Sequence, residues 1–222
     1  MFSQAEYKRY TTNEIKPCGW LKRQLEIQAE GLSGNLYKIW PDIRDSSYIG
    51  GEINSWERVP YWLDGFVPLA YLLEDEEKIA VARRYIDGIL ASQGEDGWLC
   101  LCEPGERGRY DIWPALLILK VLTVYQECSG DARIEEAVYN GLKAVKYHVQ
   151  NFGIYGWSGS RWYECLIPAY WLYERRPEDW ILELCFSLYA AGTNYKALLT
   201  TGFYNTPKNE WNHETHVVNI AM

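Results

Sequence analysis

Residues 213–216 read His-Glu-Thr-His, two imidazoles flanking a carboxylate within four residues. A zinc-protease pair needs His-Glu-x-x-His, so that two ligands share one helix face with the glutamate as base. Here the spacing is one residue short, and no cysteine or third histidine stands nearby, so no metal site is expected. His216 reads better as a hydrogen-bonding group for a hydroxyl, because an imidazole both donates and accepts. Three other places pair a carboxylate with a flat ring: Trp62 with Asp64, Tyr110 with Asp111 and Trp113, and Trp162 with Glu164. The terminal cluster adds His213 and Glu214 to His216. Carboxylates and imidazoles bond hydroxyls, and aromatic rings pack on the C–H faces of sugars, so the set suits a polyhydroxylated ligand. Each residue alone has a plainer role. Asp111 is an acceptable helix N-cap, and the helix dipole favours Glu164 in a first turn. Glu57 and Arg58 are weaker candidates, with a surface ion pair as their plain reading.

What must position these residues is a set of helices of two kinds. Residues 109–127, RYDIWPALLILKVLTVYQE, are apolar nearly all round, which predicts a helix buried on every side. Residues 131–149 instead repeat Ile134, Val138, Leu142, Val145 and Val149 with charges between, so one face is buried, with Asp131 as N-cap. The alternation recurs: 62–74 apolar, 76–93 amphipathic, 164–174 apolar, and 177–192 with Pro177 as its first helical residue. Glu74, Glu127 and Glu174 fall in register, 53 and 47 residues apart, a helical-repeat period. The expected fold is all-α: a partial (α/α)6 toroid of alternating inner and outer helices, truncated after the start of the fourth inner helix. In such a ring the inner helices run parallel. Their starts, and the four clusters with them, are expected to share one mouth, with Asp64, Asp111, Glu164 and His216 facing a cavity that contains Trp62 or Trp113.

Composition narrows the partners. With 22 basic against 30 acidic residues the chain carries −8, which argues against nucleic acid and anionic membranes. The N-terminus MFSQAEYKRY lacks an apolar signal core, and the longest apolar run, 112–125, is too short to span a bilayer and carries Lys120. A soluble, cytoplasmic protein is expected. Cysteines 18, 100, 102, 128, 165 and 185 read as buried thiols rather than a disulfide framework or zinc site. Eleven tryptophans and eighteen tyrosines exceed the needs of a core this size, and many adjoin turn residues.

GWLKRQLEIQAEGLSGNL (19–36), ERVPYWLDGFVPLAYLL (57–73), ILASQGEDGWL (89–99) and HVVNIAM (216–222) together resemble the N-terminal part of glycoside hydrolase family 127, the β-L-arabinofuranosidase-like enzymes. The resemblance runs from about residue 17 to the end. It implies that residues 1–222 are the N-terminal portion of an (α/α)6-barrel catalytic domain that hydrolyses terminal glycosidic bonds. The family's zinc-held cysteine nucleophile and its glutamate acid/base lie in the second half of the barrel, so no catalytic residue and no cofactor is assigned to this chain. On the family's pattern His216 matches a substrate-binding histidine, and Asp64 and Glu164 match acidic positions. Tyr110 and Trp162 stand where some members carry histidines, a departure that bears on sugar specificity. The chain as given is expected to bind carbohydrate, to be inactive as a glycosidase with or without zinc, and to self-associate through the open side of its half-ring. Two other readings remain: a non-catalytic carbohydrate-binding or helical interaction module, and another sugar-active toroid such as an unsaturated uronyl hydrolase or sugar epimerase. The last would need a strongly basic mouth, where the sequence offers mainly Arg109 and Arg161.

Overall fold

The computed structural model describes residues 10–198, together with 200 and 207. The architecture is mostly helical, and among the described residues the extended pairing amounts to an isolated bridge between Ser46 and Ile53. After α1 (Gly19–Glu30) come two single turns, α2 (Leu36–Ile39) and α3 (Pro41–Arg44). Three helical pairs follow: α4 (Arg58–Leu72) with α5 (Glu76–Ser92), α6 (Trp113–Ser129) with α7 (Arg133–Phe152), and α9 (Leu166–Tyr173) with α10 (Asp179–Ala191). The short α8 (Gly156–Ser160) and a 3₁₀ turn at Trp162–Cys165 lead into α9, and α11 (Tyr195–Ala197) is the last described helix.

The two kinds of helix form two layers. In one layer α6 packs between α4 on one side and the Trp162–Cys165 turn and α9 on the other. Leu116, Ile118, Leu119, Val121 and Leu122 are all fully buried around α6, which keeps a half-buried line through Lys120, Val124 and Glu127. Full burial of each such side chain contributes about 1.5–3 kcal/mol, which is why an all-round apolar helix sits at the centre. In the other layer α5 covers α4, while α7 packs on α6, α9 and α10. α7 buries Ile134, Val138, Leu142, Val145 and Val149, the stripe its sequence spacing dictates.

α4 and α6 run parallel. At their C-terminal ends the segment before α1 ties them together: the Lys16 ammonium pairs with Glu74 at 2.7 Å, and the Asn13 amide donates to the carbonyls of Glu127 and Cys128. At their N-terminal ends Tyr61 and Trp113 meet edge to face, with centroids 5.9 Å apart. The start of the third inner segment reaches the same place, where Glu164 bonds Trp113.

Several boundaries differ from the sequence expectation. α6 starts at Trp113, not 109, because Pro104–Arg109 forms its own 3₁₀ turn. Pro177 is not helical; α10 begins at Asp179, after a tight turn in which the Glu178 amide bonds the Arg176 carbonyl. Asp131 stands one residue before the N-cap of α7, which is Ala132, and its carboxylate accepts the amide of the first helical residue, Arg133, at 3.0 Å. No helix among the described residues is long and apolar enough to cross a membrane.

Candidate functional site

The convergent helix starts enclose a cavity of about 410 Å³ lined by Trp40, Trp56, Glu57, Arg58, Tyr61, Trp62, Trp113, Trp157 and Arg161, with Leu36 at one edge. Its floor is a ring cluster. Trp113 and Trp157 stack with centroids 5.5 Å apart and planes 28° from parallel. Trp56 and Tyr61 each meet Trp113 edge to face. The Arg161 guanidinium lies 5.0 Å from the Trp113 ring centre, within cation–π range.

Buried charge stands behind this aromatic floor. Glu164 is 2% exposed; one carboxylate oxygen accepts the Trp113 indole N–H at 2.7 Å and the other faces Arg161 at 3.4 Å. Arg161 is itself buried, and its Nε has no hydrogen-bond partner. On the opposite wall Glu57 is buried and pairs with the exposed Arg58, whose guanidinium also reaches Asp42 at 3.9 Å and lies over the Trp40 ring. Each lining guanidinium thus has a carboxylate partner: Glu57 in the wall for Arg58, and Glu164 behind the floor for Arg161.

Asp111 sets the geometry rather than lining the cavity. Its carboxylate accepts the backbone amides of Trp113 at 3.1 Å, Trp157 at 2.7 Å and Ser158 at 2.9 Å, fixing the starts of α6 and α8 against each other. The approach is so close that a Cβ on Gly156 would sit 2.7 Å from Asp111 Oδ2, and Gly156 also has φ +58°, so glycine is required there twice over. Trp56 is the other special backbone. It has φ 41°, uncommon for a bulky residue, and its amide is held by the Asn54 side chain at 3.1 Å. Strain of this kind costs on the order of 1–3 kcal/mol and persists only where surrounding structure imposes it.

The sequence-predicted residues separate into groups. Trp113 lines the cavity, Glu164 lies directly behind it, and Asp111 anchors it. Trp62 borders the cavity but stacks on Phe66 and donates its indole N–H to the Ser33 carbonyl at 3.0 Å. Asp64 lies deeper in α4 and pairs with Lys120 of α6 at 2.9 Å, away from the cavity lining. Tyr110 turns toward Trp98 and Cys100, and burial pushes its phenol well above the usual range. Trp162 faces the α10 side, meeting Tyr189 edge to face and donating to the Thr193 carbonyl at 3.2 Å. His213, Glu214 and His216 lie outside the described residues. The arrangement also brings in Trp56, Tyr61 and Trp157, which pattern reading passed over. Their signal was an aromatic beside turn formers, as in INSWERVPYW and YGWSG.

Cys18 is exposed at the start of α1 and Cys102 half-buried, against the expectation of buried thiols, while Cys100, Cys128, Cys165 and Cys185 are buried. Burial pushes Cys100 and Cys165 far above the ordinary thiol range and Cys185 up to about 11, so each stays protonated near neutrality. Among the described residues no group of three His, Cys, Asp or Glu is placed to hold a metal ion. The chain matches no protein-family model, no curated protein and no solved structure.

Proposed function

We propose that this chain carries the substrate-binding mouth of a glycoside hydrolase-like protein of the family 127 type, built on part of an (α/α)6 toroid, and that the ligand is a neutral carbohydrate. The observation that carries the reading is the Trp113–Trp157 stack, with buried Arg161 and Glu164 beside it, at the floor of an open 410 Å³ cavity. Flat rings supply an apolar platform for a sugar face, while guanidinium and carboxylate supply the donors and acceptors that hydroxyls need. The toroid is supported by the parallel run of α4 and α6, by the burial of most of the α6 surface, and by the meeting of three helix starts at one end. Both guanidiniums are already engaged by carboxylates, Arg58 by Glu57 and Arg161 by Glu164, which favours a neutral sugar over a uronate that would call for an unpaired cation.

In this reading the described residues bind and orient, and hydrolysis is not assigned to them. Asp111 is committed to three backbone amides, and Glu164 to Trp113 and Arg161, so neither is placed as a free acid/base. The test is calorimetric titration of the 222-residue chain with a neutral arabino-oligosaccharide, a uronate oligosaccharide as comparator, and an aryl-arabinofuranoside turnover assay alongside. The expected result is saturable binding of the neutral ligand with a dissociation constant on the order of 0.1–1 mM, weaker uronate binding, and no turnover. Tighter binding of the uronate, or no saturable binding of either ligand, overturns the proposal.

A further inference from the structure

A second cleft lies on the other side of the loop that precedes α6. It is a cavity of about 380 Å³ between α7 and residues 96–107, lined by Asp96, Trp98, Arg107, Lys143, Ala144, Tyr147, His148 and Phe152. None of these residues borders the mouth cavity. Two of them carry unmet polar groups. His148 is 2% exposed and neither ring nitrogen has a hydrogen-bond partner; the buried Nε of Arg107 has none either. Leaving a buried polar atom without a partner forfeits its hydration, and native structures rarely place three such atoms around one cavity without a use.

The chemistry of the rim says what would satisfy them. Lys143 makes no ion pair among the described residues; its ammonium rests 4.0 Å from the Trp180 ring centre. Arg107 is paired with Asp96 through one terminal nitrogen and lies 4.7 Å over the Trp98 ring. Asp96 stays ionised, because burial opposing it is outweighed by the Trp98 amide and Arg107, which together lower its pKa. The cleft therefore holds two cations against one anion, a local excess of positive charge in a chain of net −8. Its walls are flat: Trp98, Tyr147 and Phe152, with the His148 ring 5.8 Å from Trp98 and 5.2 Å from Phe152. Burial keeps the imidazole neutral, so one nitrogen donates and the other accepts.

We infer that this cleft is a second binding site, independent of the mouth, for a small carboxylate carried on a planar ring. The carboxylate accepts from Arg107 and Lys143, the ring lies among the aromatic walls, and His148 bonds a polar edge of the ligand. Sugar binding at the mouth is not required for it, so the two proposals stand or fall separately.

The probe is sodium benzoate at constant ionic strength, titrated into the whole 222-residue chain. It is followed by calorimetry and by the imidazole ¹⁵N resonances of His148, with benzamide as the neutral isostere. Benzoate is expected to saturate with a dissociation constant on the order of 1 mM, to shift the His148 resonances, and to bind about tenfold more tightly than benzamide. Lys143→Met, at an exposed rim position, is expected to weaken benzoate at least several-fold, and Trp157→Ala in the mouth to leave it unchanged. Absence of saturable binding overturns the site. Equal affinity for benzamide overturns the anion assignment. Loss in Trp157→Ala with retention in Lys143→Met places the ligand in the mouth and overturns the inference as well.

Discussion

The two ends of the inner helices are built on different principles, although both end α4 with a non-glycine residue in the left-handed region. At the C-terminal end that residue is Glu74, φ 54°. Its place is the one glycine usually takes after a helix: the Glu74 amide bonds Tyr71 and the Asp75 amide bonds Ala70, closing the last turn. Surface ties from Lys16 and Asn13 complete that end. At the N-terminal end the residue is Trp56, φ 41°, and no helix closure accounts for it; what the conformation achieves is an indole set against Trp113. The buried charged and imidazole side chains among the described residues, Glu57, His148, Arg161 and Glu164, all lie toward this second end. Strain that ends a helix is housekeeping. Strain that aims an aromatic ring into a cavity beside buried Glu57 and Arg161 is what the proposed binding face calls for.

The largest effect is expected at the pivot of that face. Trp113→Ala removes a 5%-exposed ring that meets Trp56, Tyr61 and Trp157, and takes the indole donor from a buried carboxylate. A loss of about 3–5 kcal/mol in urea unfolding is expected. A loss below about 1 kcal/mol, the size of a surface change, would erase the contrast between the ends.

Next is acid sensitivity. Burial lowers the His148 pKa, and the nearby Asp111 charge opposes this only in part. The unfolded imidazole takes its proton near the ordinary value of about 6.5, the folded one only at lower pH. Between those values the unfolded state binds more protons, so this residue's effect is to lower stability as pH falls from about 6.5 down through the folded value. Asp96, Arg107 and Lys143 are the charged groups that share the cleft with it. His148→Gln should flatten the slope of unfolding free energy against pH between about 5 and 7. An unchanged slope would show that the imidazole is not held neutral by its setting.

How much of this was legible in the sequence follows from what sets each feature. The buried α6 and half-buried α7 were readable because side-chain periodicity is local. Of the four helix starts expected to meet, three do so through Tyr61, Trp113 and Glu164, and the fourth lies outside the described residues. The individual site residues followed less well. Asp64 looked like a start residue because the apolar pattern begins at Trp62, yet α4 begins at Arg58, which moves Asp64 inward to meet Lys120. Trp162 was misaimed because a 3₁₀ turn, invisible to a 3.6-residue period, rotates the chain before α9. Glu57 ranked low as a surface ion pair, while the fold buries it against the cavity. The cleft around His148 left no pattern at all, since it joins an outer helix face to a loop some 40 residues away.

The smallest effects come from glycine at the two left-handed positions. Glu74→Gly relieves the backbone and loses only an exposed ion pair, so a small rise in melting temperature with unchanged ligand binding is expected. Trp56→Gly relieves the same kind of strain but should weaken carbohydrate binding about tenfold, the worth of one aromatic contact. Equal behaviour of the two variants would show that the Trp56 conformation has no part in binding.

The most direct measurement uses the tryptophans as their own reporters. In a ¹H–¹⁵N spectrum of the indole N–H groups, a neutral arabino-oligosaccharide should shift Trp56, Trp113 and Trp157 together, with a common saturation curve. Trp20 on α1, Trp98 in the cleft, and Trp171 and Trp180 beyond it should stay still. Shifts confined to Trp98 or Trp180, or no shift at Trp113 and Trp157 at saturating sugar, would contradict the assignment of the mouth.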